Sequence, residues 1–563
     1  MLFPDDGNGS RILLTSRILE LAGQSWKLLR ERVFGQQYSC PPQLVEVGKK
    51  IAKDCGGLPL TIVVVAGLVL SSGNVMSEQV WGNISENISS REPTIALQCS
   101  KILCFSYDRL PLRLKPCFLY IAAFPEDSDI DVSKLIRLWV AEGFLKPNHH
   151  FKCLEDVGER YLEDLVERSL VLVSKKGPDG KLETVGIHDM LREICITKAE
   201  EEWFFHHHVR SKRYPYKEFI ENPYRRLKIH IIERCSELNI NDLSVRSILF
   251  DESLLSFPSL HVRSRHVCIL DAPRAYSENI SYVFSTFVNL WYFAFSLSSP
   301  PSSYRELPVL ISKHPNLETV VVRVFLNYGI GRNILEVPYE ILKAWKLRLL
   351  IWETSFRLTY PSDIGNIVYE SGLQTIETVI DFIFEEEMIR ILVNLKKLKV
   401  GYYMENRNWG DFNFDRLSKL LNLEDLEIRM YYNFSTDYSM TWKHVFPMGL
   451  KKLYLEVGKQ RKVNFLNSSI SIPMPRKLDY LLKWEMEKEH FPCLESLILD
   501  RAIWIDKFPS GVGEIDLLQY IELNECKISL VDSAKQIQRH QHENGNDAFR
   551  VRVIDYKGEN VLF

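Results

Sequence analysis

The sequence predicts a multidomain chain of α and α/β class, with compact helical modules ahead of a long series of short stacked strands. Three observations carry that expectation. Apolar residues recur at helical spacing between Ser25 and Leu165. The stretch Val185-Gly186-Ile187-His188-Asp189-Met190-Leu191-Arg192-Glu193 then hands a β-hairpin over to a helix. After it, leucines return again and again in the spacing LxxLxL. At 563 residues there is length for roughly three or four separate cores.

Composition excludes several classes. A formal charge of −3 with 25% charged residues describes an ordinary soluble protein, whereas a general nucleic-acid binder carries a basic surplus. The 11 cysteines are odd in number and form no CxxC pair. Met1-Leu2-Phe3-Pro4-Asp5-Asp6 has neither the basic nor the apolar region of a secretory signal. Free thiols in a reducing compartment are therefore expected, and the sequons at Asn83, Asn87 and Asn279 read as chance. The apolar run Leu58–Leu70 falls short of the roughly 20 residues that span a bilayer. It reads as a buried core helix, and no transmembrane segment is expected.

Taken in order, Asp5-Asp6-Gly7-Asn8-Gly9-Ser10 is turn chemistry. Arg11-Ile12-Leu13-Leu14-Thr15 suits a strand buried on both faces of a parallel sheet. That strand would end in Thr15-Ser16-Arg17, where ligands of open α/β sheets collect. No GxxxxGK[ST] occurs to cradle phosphates, and no partner strands are evident nearby. The chain is thus expected to begin inside a domain.

Helices follow. Ser25–Phe34 is short. Pro42–Asp54 puts Leu44, Val47 and Ile51 on one face. Cys55-Gly56-Gly57-Leu58-Pro59 supplies a left-handed glycine cap and a proline to open the apolar helix. Thr94–Tyr107 and Leu112–Ala123 complete a small bundle. Asp131–Phe144 carries Leu135, Leu138 and Trp139 inward, with Asp131 or Ser133 as N-cap. Leu154, Val157, Tyr161 and Leu165 stripe another helix. Leu170–Val173 and Glu183–Ile187 then pair across Lys175–Lys181 as a hairpin. Helices followed by a hairpin is the order of a winged helix. The basic cluster Arg210–Arg234 beyond it reads as a solvated linker, and no specific nucleic acid is expected.

From His230 onward the LxxLxL pattern begins at Leu317, Leu395, Leu423, Leu450 and Leu494. Several of these lie roughly 22 to 30 apart, the range of leucine-rich repeats. Their leucines would share a core, with Glu318, Lys396, Glu424, Lys451 and Glu495 facing outward. A solenoid with a broad surface suited to protein recognition follows.

These residues carry a resemblance. Gly9–Arg17 resembles the sensor strand of plant NB-ARC–LRR disease-resistance proteins, and Cys55–Leu60 resembles their GLPL motif. Cys117–Tyr120 through Leu135–Phe144 is similar to the start of their winged helix. Ile187-His188-Asp189 stands at their MHD position, with Ile in place of Met. The chain is similar above all to the coiled-coil class of late-blight-resistance type. The resemblance implies a partial NB-ARC module followed by a leucine-rich-repeat solenoid. Residues 1–39 would be a remnant of the nucleotide domain, 40–115 helical ARC1, and 116–205 winged-helix ARC2. A linker would span 206–240 and the repeats 241–563.

It also implies a switch that ADP holds closed and ATP opens, with a hypersensitive response as output. By position, Arg17 would face the γ-phosphate, Pro59 the adenine and His188 the ADP β-phosphate, with Thr15 also in the nucleotide site, while Asp189 orients its helix. An imidazole near a helix N-terminus can donate to a phosphate oxygen, where the dipole favours an anion. The coiled coil, P-loop and acidic Walker B strand have no counterpart in these residues, and Glu20–Ser25 is shorter than the family's run. An N-terminally truncated, impaired switch is expected, with weak or no nucleotide binding and no catalysis. The repeats would bind a pathogen effector or a guarded host protein. The setting would be the cytoplasm, with peripheral attachment at a membrane as a variant.

Two other classes compete. A nucleotide-independent scaffold or decoy would use the winged helix and repeats to regulate full-length relatives. A metal hydrolase would use His188-Asp189 as a ligand pair, but further His and Asp residues would have to gather round it. His188 could equally be a plain helix cap.

Overall fold

The computed structural model describes residues 22–35, 40–89, 94–147, 153–177, 180–210, 217–220, 224–231, 237–240, 245–250, 259–262, 265–276, 280–298, 302–325, 335–359, 371–404, 412–432, 440–441, 446–459, 482–483, 491–502, 505–554 and 560–562. The strand expected at Arg11–Thr15 lies outside them, as do Thr15 and Arg17. The chain divides into two compact units, the first Met1–Lys175 with Leu182–Phe204 and the second Lys176–Lys181 with Phe205–Phe563.

The first unit opens with five helices: α1 (Ala22–Phe34), α2 (Pro42–Asp54), α3 (Pro59–Ser71), α4 (Glu78–Ile88) and α5 (Ile95–Asp108). The apolar run is α3. It buries Thr61, Ile62 and all of Val64–Val69 because α1, α5 and a later helix close round it. Two close approaches tighten this core. A Cβ at Gly48 would lie 2.2 Å from the Trp26 ring, and one at Gly67 would lie 2.4 Å from the Arg168 carbonyl oxygen. α4 is an addition to the expected helices. Ser77 caps it, its Oγ accepting from the Val80 N–H at 3.4 Å, and Trp81, Ile84 and Ile88 form its buried stripe.

The remainder of this unit is α6 (Lys115–Ile121), β1 (Ile130–Asp131), α7 (Val132–Glu142), α8 (Leu154–Glu167), β2 (Leu172–Lys176), β3 (Leu182–Gly186) and α9 (Asp189–Glu201). Asp131 is the cap of α7, accepting from the Lys134 N–H at 2.6 Å. Leu135, Leu138 and Trp139 point inward, and Gly143 stops the helix at φ 74. On α8 the buried residues are Val157, Gly158, Leu162 and Leu165, while Tyr161 of the expected stripe is only half-buried. The rotation has a cause: Gly158 lets α8 close on α7, since a Cβ there would sit 2.7 Å from Ile136. The strands pair in the order β1-β3-β2, with Ile130 opposite Val185.

In the second unit, residues 206–240, expected as a linker, already carry four strands: β4 (His206–Arg210), β5 (Lys217–Ile220), β6 (Arg226–Ile231) and β7 (Glu237–Ile240). β8 (Ser247–Phe250), β9 (Ser259–Val262), β10 (Ile269–Tyr276), α10 (Ile280–Thr286), β11 (Tyr292–Ser298), α11 (Ser302–Ser312), β12 (Thr319–Phe325), β13 (Leu335–Pro338) and β14 (Leu349–Thr359) continue it. Then come β15 (Thr375–Ile380), α12 (Glu386–Ile391), β16 (Lys397–Met404), β17 (Asp425–Tyr432), β18 (Met440–Thr441), β19 (Lys452–Lys459), β20 (Leu482–Lys483), β21 (Ser496–Asp500), β22 (Tyr520–Asn524), α13 (Ile528–Glu543), β23 (Arg550–Ile554) and β24 (Asn560–Leu562). One sheet runs β24-β23-β22-β21-β19-β17-β16-β15-β14-β12-β11-β10-β8-β6-β4, and among the described residues it does not close into a barrel. Its pairs are parallel except β23 with β24.

A single row of side chains crosses this sheet in register. Leu227, Ile248, Leu270, Phe293, Val320, Leu350, Ile376, Leu398, Leu426, Leu453, Leu497, Ile521 and Val551 are consecutive partners, and all are buried. Only five of the thirteen belong to the LxxLxL motifs read from the sequence: of the other eight, Leu227, Leu270 and Leu350 stand in stretches without the full motif, and Ile, Phe or Val fills the slot in the remaining five. Turns repeat as well. The Asn394 amide donates to the Ser371 carbonyl at 3.1 Å and Asn422 to Val393 at 2.8 Å, so each of these asparagines ties its turn to the one before.

Candidate functional site

His188 stands between β3 and α9 in extended conformation, φ −68 and ψ 140. Its carbonyl accepts from the Leu191 and Arg192 N–H groups at 2.8 and 2.9 Å. Its Nδ1 accepts from the Met190 N–H at 3.3 Å, which makes it the N-cap of α9. An Nδ1 lone pair used this way puts the ring proton on Nε2, and the exposed ring presents that N–H to solvent. Asp189 in the first turn complements the helix dipole. Arg192 fixes the helix by donating through Nε to the Phe124 carbonyl at 3.2 Å. The buried Cys195 thiol, pushed well above its ordinary value by burial, donates to the Phe118 carbonyl at 3.7 Å.

Pro59 opens α3. Gly56 and Gly57, at φ 63 and 74, turn the chain out of α2. The buried Thr61 hydroxyl braces that turn, reaching the Cys55 carbonyl at 2.9 Å and the Leu58 carbonyl at 2.8 Å. No side chain caps α3, so its first turn keeps unsatisfied N–H groups beside the exposed Pro59. Burial lifts the neighbouring Cys55 thiol to about 12, which keeps it an inert packing group.

Pro59 and His188 thus lie at the N-termini of two helices that both pack on α5. The donors there that could meet an anion are the N–H groups of the uncapped first turn of α3 and the Nε2–H of His188. Thr15 and Arg17 fall outside the described residues. Among the described residues, no three His, Cys, Asp or Glu side chains gather where a metal ion could sit.

A second arrangement, not anticipated from the sequence, lies on the outward side of the second unit's sheet. Lys397 reaches Glu377 at 3.1 Å and Asp425 at 3.7 Å, and Lys399 reaches Glu377 at 3.2 Å and Glu427 at 3.7 Å. Arg429 joins Glu427 at 2.5 Å to Glu456 at 3.4 Å. Glu456 pairs with Arg501, and Tyr454 donates to Asp500 at 2.8 Å. Burial works to raise the Glu377 carboxyl, but Lys397 and Lys399 outweigh it and hold it below its ordinary value. Asp425 is raised by burial, with Lys397 only partly offsetting that. The signal was present in the opposed charges of Lys397-Leu398-Lys399 and Asp425-Leu426-Glu427, but only the register places them side by side.

Comparison with known proteins decides the relationship. The family model described as disease resistance protein winged helix domain matches residues 123–195, which cover β1, α7, α8, the hairpin and the His188 corner. The late blight resistance protein homolog R1B-23 of Solanum demissum is 30% identical over 617 residues, covering 98% of this chain and 47% of its own length. The late blight resistance protein R1-A of the same plant is 30% identical over 620 residues, covering 98% and 46%. The chain is related to the resistance proteins of NB-ARC type. It spans about half the length of the curated relatives it matches. Within this resistance-protein relative, β1 to the start of α9 is the winged helix domain. No helix among the described residues is long and apolar enough to cross a membrane.

Proposed function

We propose that the chain is part of a plant NB-ARC–LRR immune receptor, acting in defence against a pathogen. The observation that carries this is similarity to late blight resistance proteins over 98% of the chain, collinear through a winged helix domain. On this reading residues 1–39 belong to a nucleotide domain, 40–115 to ARC1, 116–205 to ARC2, and the parallel strands to a leucine-rich-repeat solenoid. Its setting is the cytoplasm and its output a hypersensitive response.

ADP or ATP would be the cofactor. The Nε2–H of His188 would donate to the β-phosphate of ADP, Pro59 would lie against the adenine, Arg17 would serve the γ-phosphate, and Thr15 would line the same nucleotide site. The uncapped start of α3 and the tautomer set at His188 support this. The sequence holds no GxxxxGK[ST], and each charge-assisted hydrogen bond of such a cradle contributes about 1.5–3 kcal/mol. Weak nucleotide binding is therefore expected, and a titration of ADP into the full chain by calorimetry tests it. Tight binding would overturn the impaired switch.

The outward face of the sheet would take the protein partner, a pathogen effector or a guarded host protein. A second reading is a nucleotide-independent scaffold or decoy that regulates full-length relatives. It is favoured by the charge ladder, which the second unit builds from its own residues. Affinity purification from infected leaf separates the two. Recovery of intact NB-ARC relatives with no effector supports the decoy, and recovery of an effector or host target supports the receptor.

A further inference from the structure

Several turns that lead into strands of the second unit close with one hydrogen bond of the same kind. The N–H groups of Leu317, Leu347, Leu395, Leu423 and Leu450 donate to the carbonyls of His314, Ala344, Leu392, Leu420 and Pro447. The first residue at each tip needs only a φ near that of proline, and Pro315 supplies it in one turn. At other such positions Ser371 is buried and Val393 half-buried, whereas Val288 at 45%, Trp345 at 63%, Leu421 at 71% and Met448 at 56% exposure stand in solvent. Nothing in the turn requires them.

These tips form a line. A Cβ at Gly372 would lie 2.5 Å from the Trp345 carbonyl oxygen, and one at Gly449 would lie 3.2 Å from that of Leu421. Between them, Asn394 bonds the Ser371 carbonyl and Asn422 that of Val393. Adjacent strands are about 4.8 Å apart, so the line from Val288 to Met448 is on the order of 30 Å long. It is one residue wide. That shape suits a planar partner better than a groove-seeking one.

The flanking charge points the same way. Lys313, Lys343 and Lys346 have no carboxylate partner among the described residues. By contrast Glu386 is met by Lys419 at 3.1 Å and Arg390 at 3.6 Å, and Glu424 by Lys451 at 2.9 Å. The Lys346 ammonium lies 5.0 Å over the Trp345 ring and that of Lys343 lies 5.2 Å over Tyr339. Aromatic and aliphatic tips backed by lysines that can reach headgroups are the chemistry of an interfacial membrane contact.

We propose that this line of turn tips is a peripheral docking edge for an anionic lipid surface, with Trp345, Leu421 and Met448 entering the interface and Lys313, Lys343 and Lys346 meeting the headgroups. The test is sedimentation of the full chain with vesicles of three parts phosphatidylcholine to one part phosphatidylserine, and with phosphatidylcholine alone. The expected result is binding to the anionic vesicles that weakens as salt is raised. Trp345→Ser with Leu421→Ser, and separately Lys313→Glu with Lys343→Glu, each lower the affinity about tenfold. Thermal midpoints should be unchanged because all four residues lie at the surface. The charge-reversed variant keeps the test decisive should the serine pair misfold. Equal binding to both vesicle types, binding indifferent to the variants, or no binding would overturn the proposal. Loss of a concentration-dependent self-association in the same variants, with no vesicle binding, would assign the edge to protein contact instead.

Discussion

The hydroxyl of Tyr107, buried in α5, donates to Glu202 Oε1 at 2.7 Å just past the end of α9. The helix that His188 begins is thereby fastened to α5 at its far end. Burial, with Glu202 beside it, pushes the Tyr107 phenol above its ordinary value, so it stays a donor across the physiological range.

Tyr107→Phe removes this bond and leaves Glu202, which is exposed, to rehydrate. The loss of stability should be about 1 kcal/mol, read as a lower urea midpoint with an unchanged slope.

Two glycines in helices should respond in opposite directions to alanine. At Gly67 the new Cβ would press on the Arg168 backbone at 2.4 Å, so Gly67→Ala should destabilise by about 1–3 kcal/mol. At Gly82 in α4 nothing lies within 4 Å, and Gly82→Ala should stabilise by roughly 0.5–1 kcal/mol. Thermal melts of the two variants decide it. Equal effects would mean that α3 and α8 do not approach as described.

The charge ladder should give the chain a pH signature. Glu377 has a folded value below its ordinary 4.5, so its contribution to stability is present above about that pH and is lost as pH falls through the lower folded value. Asp425, raised by burial, works in the opposite sense and partly masks the effect. Glu377→Gln should therefore lower stability at neutral pH and flatten the acid limb of a denaturation series. An unaltered acid limb would show that the ladder is too well hydrated to matter.

At His188, alanine removes the acceptor for the Met190 N–H and should cost about 1 kcal/mol. His188→Asn keeps an acceptor at the cap and should retain most of that stability, while it loses the imidazole Nε2–H. If ADP binds through that N–H, the asparagine variant separates the two roles, since its melting point holds while its calorimetric ADP heat falls.

Local chemistry was legible in the sequence where one short stretch contains both partners of an interaction. Asp131 three residues before Lys134, the glycines ahead of Pro59, the apolar α3 and the leucines from Leu317 to Leu499 all take the places their spacing implied. The winged-helix order could be read for the same reason. α4 carries equally local signals in Ser77, Trp81, Ile84 and Ile88. What could not be read lies between segments distant in sequence. Residues 206–240 are polar and basic, so they read as linker, yet His206–Arg210 and Arg226–Ile231 pair in register. That ladder is made by backbone N–H and C=O groups, which composition does not report. The neutralisation of Lys397 by Glu377 and Asp425, and the alignment of Trp345 with Leu421 and Met448, also depend on register. A one-residue slip would turn each side chain of the charge ladder inward, while the turn tips are brought alongside one another by the stacking of the strands they lead into.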